Sequence, residues 1–242
     1  MREKSKPLSE RLQMLADMVT PGNKVADVGC DHGFLSIYLV QAGISPRVIA
    51  MDVRKGPLAA AGEHIRECGL DGYIETRLSN GLSALEAKEV DTIVCAGMGG
   101  RLMERILMES AAKTALLKEL ILQPQSEIPE FRSFLHMAGY EITDENIVCD
   151  GGKYYFAMKA IPLIGKQFET LPKEQERLYN KFGEKLLLRQ QPVLEQYLRR
   201  QEKAVEDILR RLEAEESERA KSRISQVWQE LEDIRAALDY FK

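Results

Sequence analysis

The stretch Val25-Ala26-Asp27-Val28-Gly29-Cys30-Asp31-His32-Gly33-Phe34 decides the fold. It reads as a buried strand over 24–29, a tight turn, and the opening of a helix. Asp27 lies near the end of the strand, and the glycines at 29 and 33 let the backbone approach a ligand where a Cβ would collide. Asp52, nineteen residues beyond Gly33, ends a second apolar run, Val48-Ile49-Ala50-Met51. An acid at the tip of the second strand of a βαβ unit is the usual partner of a ribose hydroxyl pair. The two strand ends therefore outline a pocket for a nucleoside-bearing cofactor.

The glycine spacing narrows the choice of cofactor. Dinucleotide folds use G-x-G-x-x-G to cradle a pyrophosphate at a helix N-terminus. Here the turn is Gly29-Cys30-Asp31-His32-Gly33, with a carboxylate in its middle. That carboxylate would repel a pyrophosphate, which disfavours NAD and ATP. It suits a cofactor that carries an amine and a sulfonium, and S-adenosylmethionine has both, with a ribose for Asp52.

Composition sets the outer limits. The chain has 242 residues, of which 44% are hydrophobic, enough for one large domain and a smaller element. No run of eighteen apolar residues is present, so no membrane span is expected. Residues 1–6 lead into no apolar signal core, and the four cysteines (30, 68, 95, 149) lack Cys-x-x-Cys spacing. These features point to a cytoplasmic protein with free thiols and no metal; Cys30-x-His32 alone is a weak ligand signal. The net charge of −4 argues against a simple nucleic-acid binder, but residues 177–211 carry a local net of +4.

Strand and helix patterns alternate over the first 160 residues, as in a mainly parallel sheet covered on both faces. Helices are expected over 8–19, 34–42, 57–68, 101–108 and 129–137, and strands over 24–29, 47–52, 73–78, 90–96 and 120–122, the last stopping before Pro124. Strands over 141–148 and 154–160 flank Asp150-Gly151-Gly152, a strong hairpin signal. A parallel sheet closed by an antiparallel hairpin is the layout of the class I, Rossmann-like S-adenosylmethionine-dependent methyltransferase domain.

Residues 161–165 read as a junction, giving a catalytic domain over 1–162 and a helical coiled-coil domain over 163–242. One helix is expected over 173–190, and Pro192 opens the next. Leu194, Leu198, Gln201, Val205, Ile208 and Leu212, and then Ile224, Val227, Leu231, Ile234, Leu238 and Phe241, form two heptad-like seams. An antiparallel hairpin is expected, with Trp228 and Tyr240 packed in it. Such a seam closes within one chain or between two; closure within one chain, hence a monomer, is favoured, and the oligomeric state stays open.

Five segments carry a resemblance: Leu8-Ser9-Glu10-Arg11-Leu12, the stretch from Ala26 to Gly33, Ser79-Asn80-Gly81, Ala96-Gly97-Met98-Gly99-Gly100, and Gly151-Gly152-Lys153-Tyr154-Tyr155. In these the sequence resembles the bacterial tRNA (adenine(22)-N1)-methyltransferases over essentially its whole length. The Asp-His pair and the Gly-Met-Gly-Gly loop are the more specific signals. The resemblance implies that Asp27, Gly29 and Gly33 line the methionine end of S-adenosylmethionine, that Asp52 holds the ribose, that Ser79 and Asn80 lie beside the adenine, and that Gly97 and Met98 wall the cofactor from the target base. Cys30, Asp31, Val53, Gly81 and Ala96 are expected to complete the cofactor shell. The Asn/Asp-Pro-Pro-aromatic motif of enzymes that methylate exocyclic amines is missing at 96–100, which fits attack by a ring nitrogen.

Adenine N1 has an in-plane lone pair, so alignment and exclusion of water should dominate catalysis. The product base is cationic, and a carboxylate nearby would stabilise it. Asp31, oriented by His32, is the expected group; helix capping and cofactor contact are the plainer reading of both. Turning the base out costs a few kcal/mol, to be offset by contacts to the RNA. Arg177, Lys181, Lys185 and Arg189 recur every four residues and are expected to share a helix face toward tRNA phosphates, helped by Arg11, Arg101, Lys153 and Tyr154. A solvated face of Glu-Lys pairs is the bland alternative. Ribosomal RNA, DNA or protein as substrate, or a non-catalytic coiled-coil RNA adaptor, are the rival readings.

Overall fold

The computed structural model describes residues 8–163, 171–214 and 218–242. The chain divides into two compact units, residues 1–168 and 169–242. The first holds a seven-stranded sheet in the order β3-β2-β1-β4-β5-β7-β6. Its strands are β1 (Val25–Val28), β2 (Val48–Asp52), β3 (Ile74–Leu78), β4 (Thr92–Met98), β5 (Glu119–Pro124), β6 (Tyr140–Asp150) and β7 (Lys153–Pro162). The first five run parallel, and β7 joins β5 antiparallel. The chain starts at β1, winds out to β3, and returns to β4 on the other side of β1. Loops leaving β1 and β4 therefore diverge, and a crevice opens at their carboxyl ends, where ligands bind in open α/β sheets.

Side chains alternate across the sheet and bury two apolar layers. Ala26, Ile49 and Ile93 face α4 (Gly100–Glu109) and α6 (Ile128–Met137), with Met103, Leu107 and Phe131 opposite; the short α5 (Ala111–Thr114) lies between those helices in sequence. Val25, Val48 and Val94 face α1 (Glu10–Met18), α2 (Phe34–Gln41) and α3 (Lys55–Glu67), with Leu15, Leu39 and Ile65 opposite. The hairpin closes on Gly151-Gly152, both with positive φ as a tight two-residue turn requires. The fifth strand does not stop before Pro124. Pro124 is its last residue, opposite Met98 across a register shift, a terminal place where a missing N–H does little harm.

The second unit contains α7 (Lys173–Phe182), α8 (Glu184–Leu188), α9 (Pro192–Glu213) and α10 (Glu218–Leu238). The single helix expected over 173–190 is broken at Gly183, whose φ of 92° no helix accommodates. Pro192 does open α9. Leu194, Leu198, Val205 and Leu209 of α9 are buried, as are Val227, Leu231, Ile234 and Ala237 of α10. Arg235 of α10 reaches Glu202 and Glu206 of α9 at 3.2 and 2.7 Å, so the two helices lie side by side. The inward row departs from the expected heptad. Ile208 is 38% exposed and Leu209 takes its place, because a straight helix of 3.6 residues per turn drifts off a 3.5-residue repeat. Trp228, expected inside, is 41% exposed. Residues 164–165 of the expected junction lie outside the described residues.

Candidate functional site

At the end of β1 the chain turns through Gly29 (φ 77°) and Asp31 (φ 50°). The Gly29 and Cys30 N–H groups both donate to the Met51 carbonyl, at 2.7 and 2.9 Å, which ties this turn to β2. Beside it Asp52 ends β2 with its carboxylate buried. One Asp52 oxygen accepts the Arg54 N–H at 2.8 Å and the other the Asp31 N–H at 3.3 Å. The Arg54 guanidinium lies 3.5 Å from Asp52 and 3.6 Å from Asp31, bridging the two acids.

Around these tips lies a crevice of about 550 Å³, in the range of small-molecule sites. Val28, Gly29 and Asp31 form one wall, and Asp52, Val53 and Arg54 the next. Ser79, Asn80 and Gly81 face Ala96, Gly97 and Met98, with Leu102 and Ile106 of α4 and Arg11 of α1 completing it. The Ser79 hydroxyl donates to the Gly81 carbonyl at 2.8 Å and accepts the Ala84 N–H at 3.1 Å. It is thus tied up holding the loop, leaving the Asn80 amide to face a ligand. The φ of 77° at Gly29 calls for glycine, and a Cβ there would also displace the Met98 methyl that lies over the turn.

The cradle fits S-adenosylmethionine. It offers a buried carboxylate for vicinal hydroxyls, an amide for a purine edge, apolar Leu102 and Ile106 for a ring face, and Asp31 for positive charge. Of the residues read from sequence, Gly29, Asp31, Asp52, Val53, Ser79, Asn80, Gly81, Ala96, Gly97, Met98 and Arg11 are brought to the crevice. Arg54, Val28, Leu102 and Ile106 were not foreseen. The four-residue spacing of Leu102 and Ile106, straight after the glycine loop, was the available signal.

Four expected cofactor or catalytic residues are not part of the crevice wall. Asp27 faces α2, where Ser36 donates to it at 2.7 Å. Cys30 is buried, and burial next to the Asp27 and Asp52 carboxylates pushes its thiol far up. Gly33 opens α2 in the left-handed region, φ 74°, and a Cβ there would come within 3.1 Å of the Ala61 Cβ. His32 turns outward, its Nε2 3.9 Å from Asp31 and its ring stacked on Phe34. Cys95 of β4 is buried with its thiol pushed up to about 12 by burial.

Burial raises the Asp27 carboxyl to about 6, against the opposing bonds from Ser36, with the Asp52 charge adding to the rise. The folded protein therefore holds this proton to higher pH than the unfolded chain. Its contribution is full below the ordinary value of 3.8 and is lost as pH rises through about 6. Asp27→Asn, which keeps an acceptor for Ser36, is expected to be more stable than wild type at pH 8 by on the order of 2 kcal/mol. The gain should shrink toward pH 4, as thermal melts at both ends would read; an equal shift at both would rule out this titration.

The expected RNA-binding residues divide. Arg11 lies beside Gly97, its guanidinium 5.4 Å above the Tyr155 ring, and Lys153 approaches the same ring to 5.2 Å. Tyr154 is half-buried. Arg101 is exposed and 3.7 Å from Glu127. In the second unit the four-residue series does not form one free face. Arg177 and Lys181 both bind buried Asp233, at 2.9 and 2.6 Å, Lys185 pairs with Glu184 at 2.8 Å, and Arg189, beyond the Gly183 break, is engaged as well. Among the described residues no helix is long and apolar enough to cross a membrane, and no three His, Cys, Asp or Glu side chains are grouped to hold a metal.

A family model described as a methyltransferase domain matches residues 8–158. A tRNA (adenine(22)-N(1))-methyltransferase of Bacillus subtilis is 35% identical over 153 residues, 63% of this chain and 64% of that protein. The match thus spans just under two thirds of that relative's length. The crystal structure of the B. subtilis m1A22 tRNA methyltransferase superposes with a TM-score of 0.81 at 26% identity, covering 97% of this chain and 100% of that one. A Streptococcus pneumoniae protein solved in complex with S-adenosyl-L-methionine gives 0.83 at 31% identity, covering 96% and 100%.

Proposed function

Since the chain belongs to the tRNA (adenine(22)-N1)-methyltransferase family, we propose that it transfers a methyl group from S-adenosylmethionine to N1 of adenine 22 in tRNA. The observation that carries this reading is the buried Asp52 carboxylate at the tip of β2, facing a crevice whose far side is Gly97-Met98 rather than an amide-bearing motif. The cofactor, when bound, supplies an electrophilic methyl on a positively charged sulfur. Everything else falls to the chain. Asp52 holds the ribose hydroxyls, Asn80 meets the adenine edge, and Leu102 and Ile106 cover its ring. Gly29 and Gly97 admit the methionine portion, and Met98 separates it from the target base.

Adenine N1 needs no base to free its lone pair, so the protein's work is alignment and the exclusion of water. Asp31 lies at the crevice wall, where its carboxylate meets the positive charge that develops on the base. The Arg54 guanidinium, 3.6 Å away, and His32 Nε2, 3.9 Å away, both approach one of its oxygens. Arg11 and Lys153 have no carboxylate in ion-pair range among the described residues, and they suit the phosphates of the extruded nucleotide, with Arg101 and Tyr154 at the margin. Incubation with unmodified tRNA and methyl-labelled cofactor, followed by mapping of the modified nucleoside, tests the reading. Label at any nucleoside other than 1-methyladenosine at position 22 would refute it.

The helical unit adds affinity through phosphates. Lys203 and Arg211 are exposed and carry no ion pair among the described residues, unlike Arg177 and Lys181. Replacing Lys203 and Arg211 by alanine is expected to lower the slope of log affinity against log salt by about 0.7–0.9 per contact. Arg177→Ala should instead lower thermal stability and leave the slope alone. Filter binding across a salt series distinguishes the two.

A further inference from the structure

Three aromatic rings cluster on the surface just outside the crevice, with His32 and His64 themselves 6.0 Å apart at 41°. His32 and Phe34 lie 5.9 Å apart at 29°, and Phe34 and His64 5.2 Å apart at 21°. The stack is built, not incidental. His64 of α3 donates from Nδ1 to the backbone carbonyl of His32, in the turn before α2, at 3.0 Å, which orients the His64 ring. Phe34 nonetheless stays 49% exposed. The cluster adjoins the site, since His32 Nε2 is 3.9 Å from the crevice-lining Asp31.

We propose that His32, Phe34 and His64 form a stacking platform for an unpaired nucleotide that flanks the methylated adenine. The inference rests on the tRNA reading above and deepens it. The half-exposed Phe34 ring offers a flat π face, and the two imidazoles packed against it give that face polar edges. An apolar protein partner would need a broad contiguous patch, whereas a nucleobase needs one ring and polar neighbours. Extruding a base from an RNA leaves its neighbour without a stacking partner, and an aromatic ring beside the crevice replaces the one lost.

The test uses the full chain. Phe34→Ala is expected to raise the KM for tRNA about tenfold, the size of one base–aromatic stack, with kcat and cofactor affinity unchanged and with Phe34→Tyr restoring wild-type values. In a Trp228→Phe background, Phe34→Trp should show fluorescence quenching on titration with a single-stranded oligoribonucleotide. An unchanged KM, an absent quench, or a parallel loss of cofactor affinity would each overturn the platform. Quenching by the oligoribonucleotide in a protein that methylates no tRNA would uphold the platform and sink the substrate assignment instead.

Discussion

Asp52→Ala is expected to weaken S-adenosylmethionine binding by at least about 100-fold, because each hydrogen bond to a charged group contributes on the order of 1.5–3 kcal/mol and a ribose offers two hydroxyls. The carboxylate also organises the site before any ligand arrives. It accepts the Arg54 and Asp31 N–H groups, so its removal loosens the turn that presents Asp31. It further leaves the Arg54 guanidinium held by Asp31 alone. Asp52→Asn keeps one acceptor and loses the charge, and about a tenfold loss is expected for it. Calorimetric titration with both S-adenosylmethionine and S-adenosylhomocysteine reads the cause. The ribose is common to the two, so a ribose partner loses affinity for both equally, whereas a partner of the sulfonium loses more for the charged cofactor. An affinity within a few fold of wild type would remove Asp52 from the cofactor site.

What could be read in the sequence was what local geometry governs. A strand, a glycine turn and a helix follow from residues 25–34 without knowledge of the rest, and so does the acid at the tip of β2. The terminal hairpin declared itself through Asp150-Gly151-Gly152. Placements that depend on distant partners were not legible. Gly33 was read as a ligand cradle, yet it does not line the crevice; its left-handed φ of 74° and the close approach of Ala61 from another helix both call for glycine. Asp27 shares the strand with the site, yet side-chain alternation turns it with Val25 toward α2. The four-residue recurrence of Arg177 and Lys181 was legible; the aspartate that consumes both, more than fifty positions onward, was not. Arg54 was passed over because an arginine between two acids carries no motif until the turn brings them together.

That aspartate sets the other large effect. Asp233 is 1% exposed and receives Arg177 Nε at 3.0 Å, Arg177 Nη2 at 2.9 Å and Lys181 Nζ at 2.6 Å, with Gln229 Nε2 at 3.1 Å. It joins α7 to α10, so the two basic residues act as internal ties and not as a free surface for RNA. Asp233→Ala is expected to destabilise the helical unit by about 2–4 kcal/mol, since breaking a buried pair leaves the remaining charges without compensation. The upper end is not reached because Arg177 and Lys181 are partly exposed and keep some access to water. Asp233→Asn, which preserves volume and one acceptor, should lose nearly as much if charge is what matters. Adding Arg177→Met and Lys181→Met to an Asp233→Leu variant should recover most of the loss, because an apolar replacement of all three removes the desolvation cost together with the attraction. Thermal melts followed by far-ultraviolet circular dichroism measure the series, and cofactor affinity, which depends on the first unit, should not move with it. A melting temperature for Asp233→Ala within about 1 °C of wild type would mean that solvent already supports both cations, and would return Arg177 and Lys181 to the set available for phosphate.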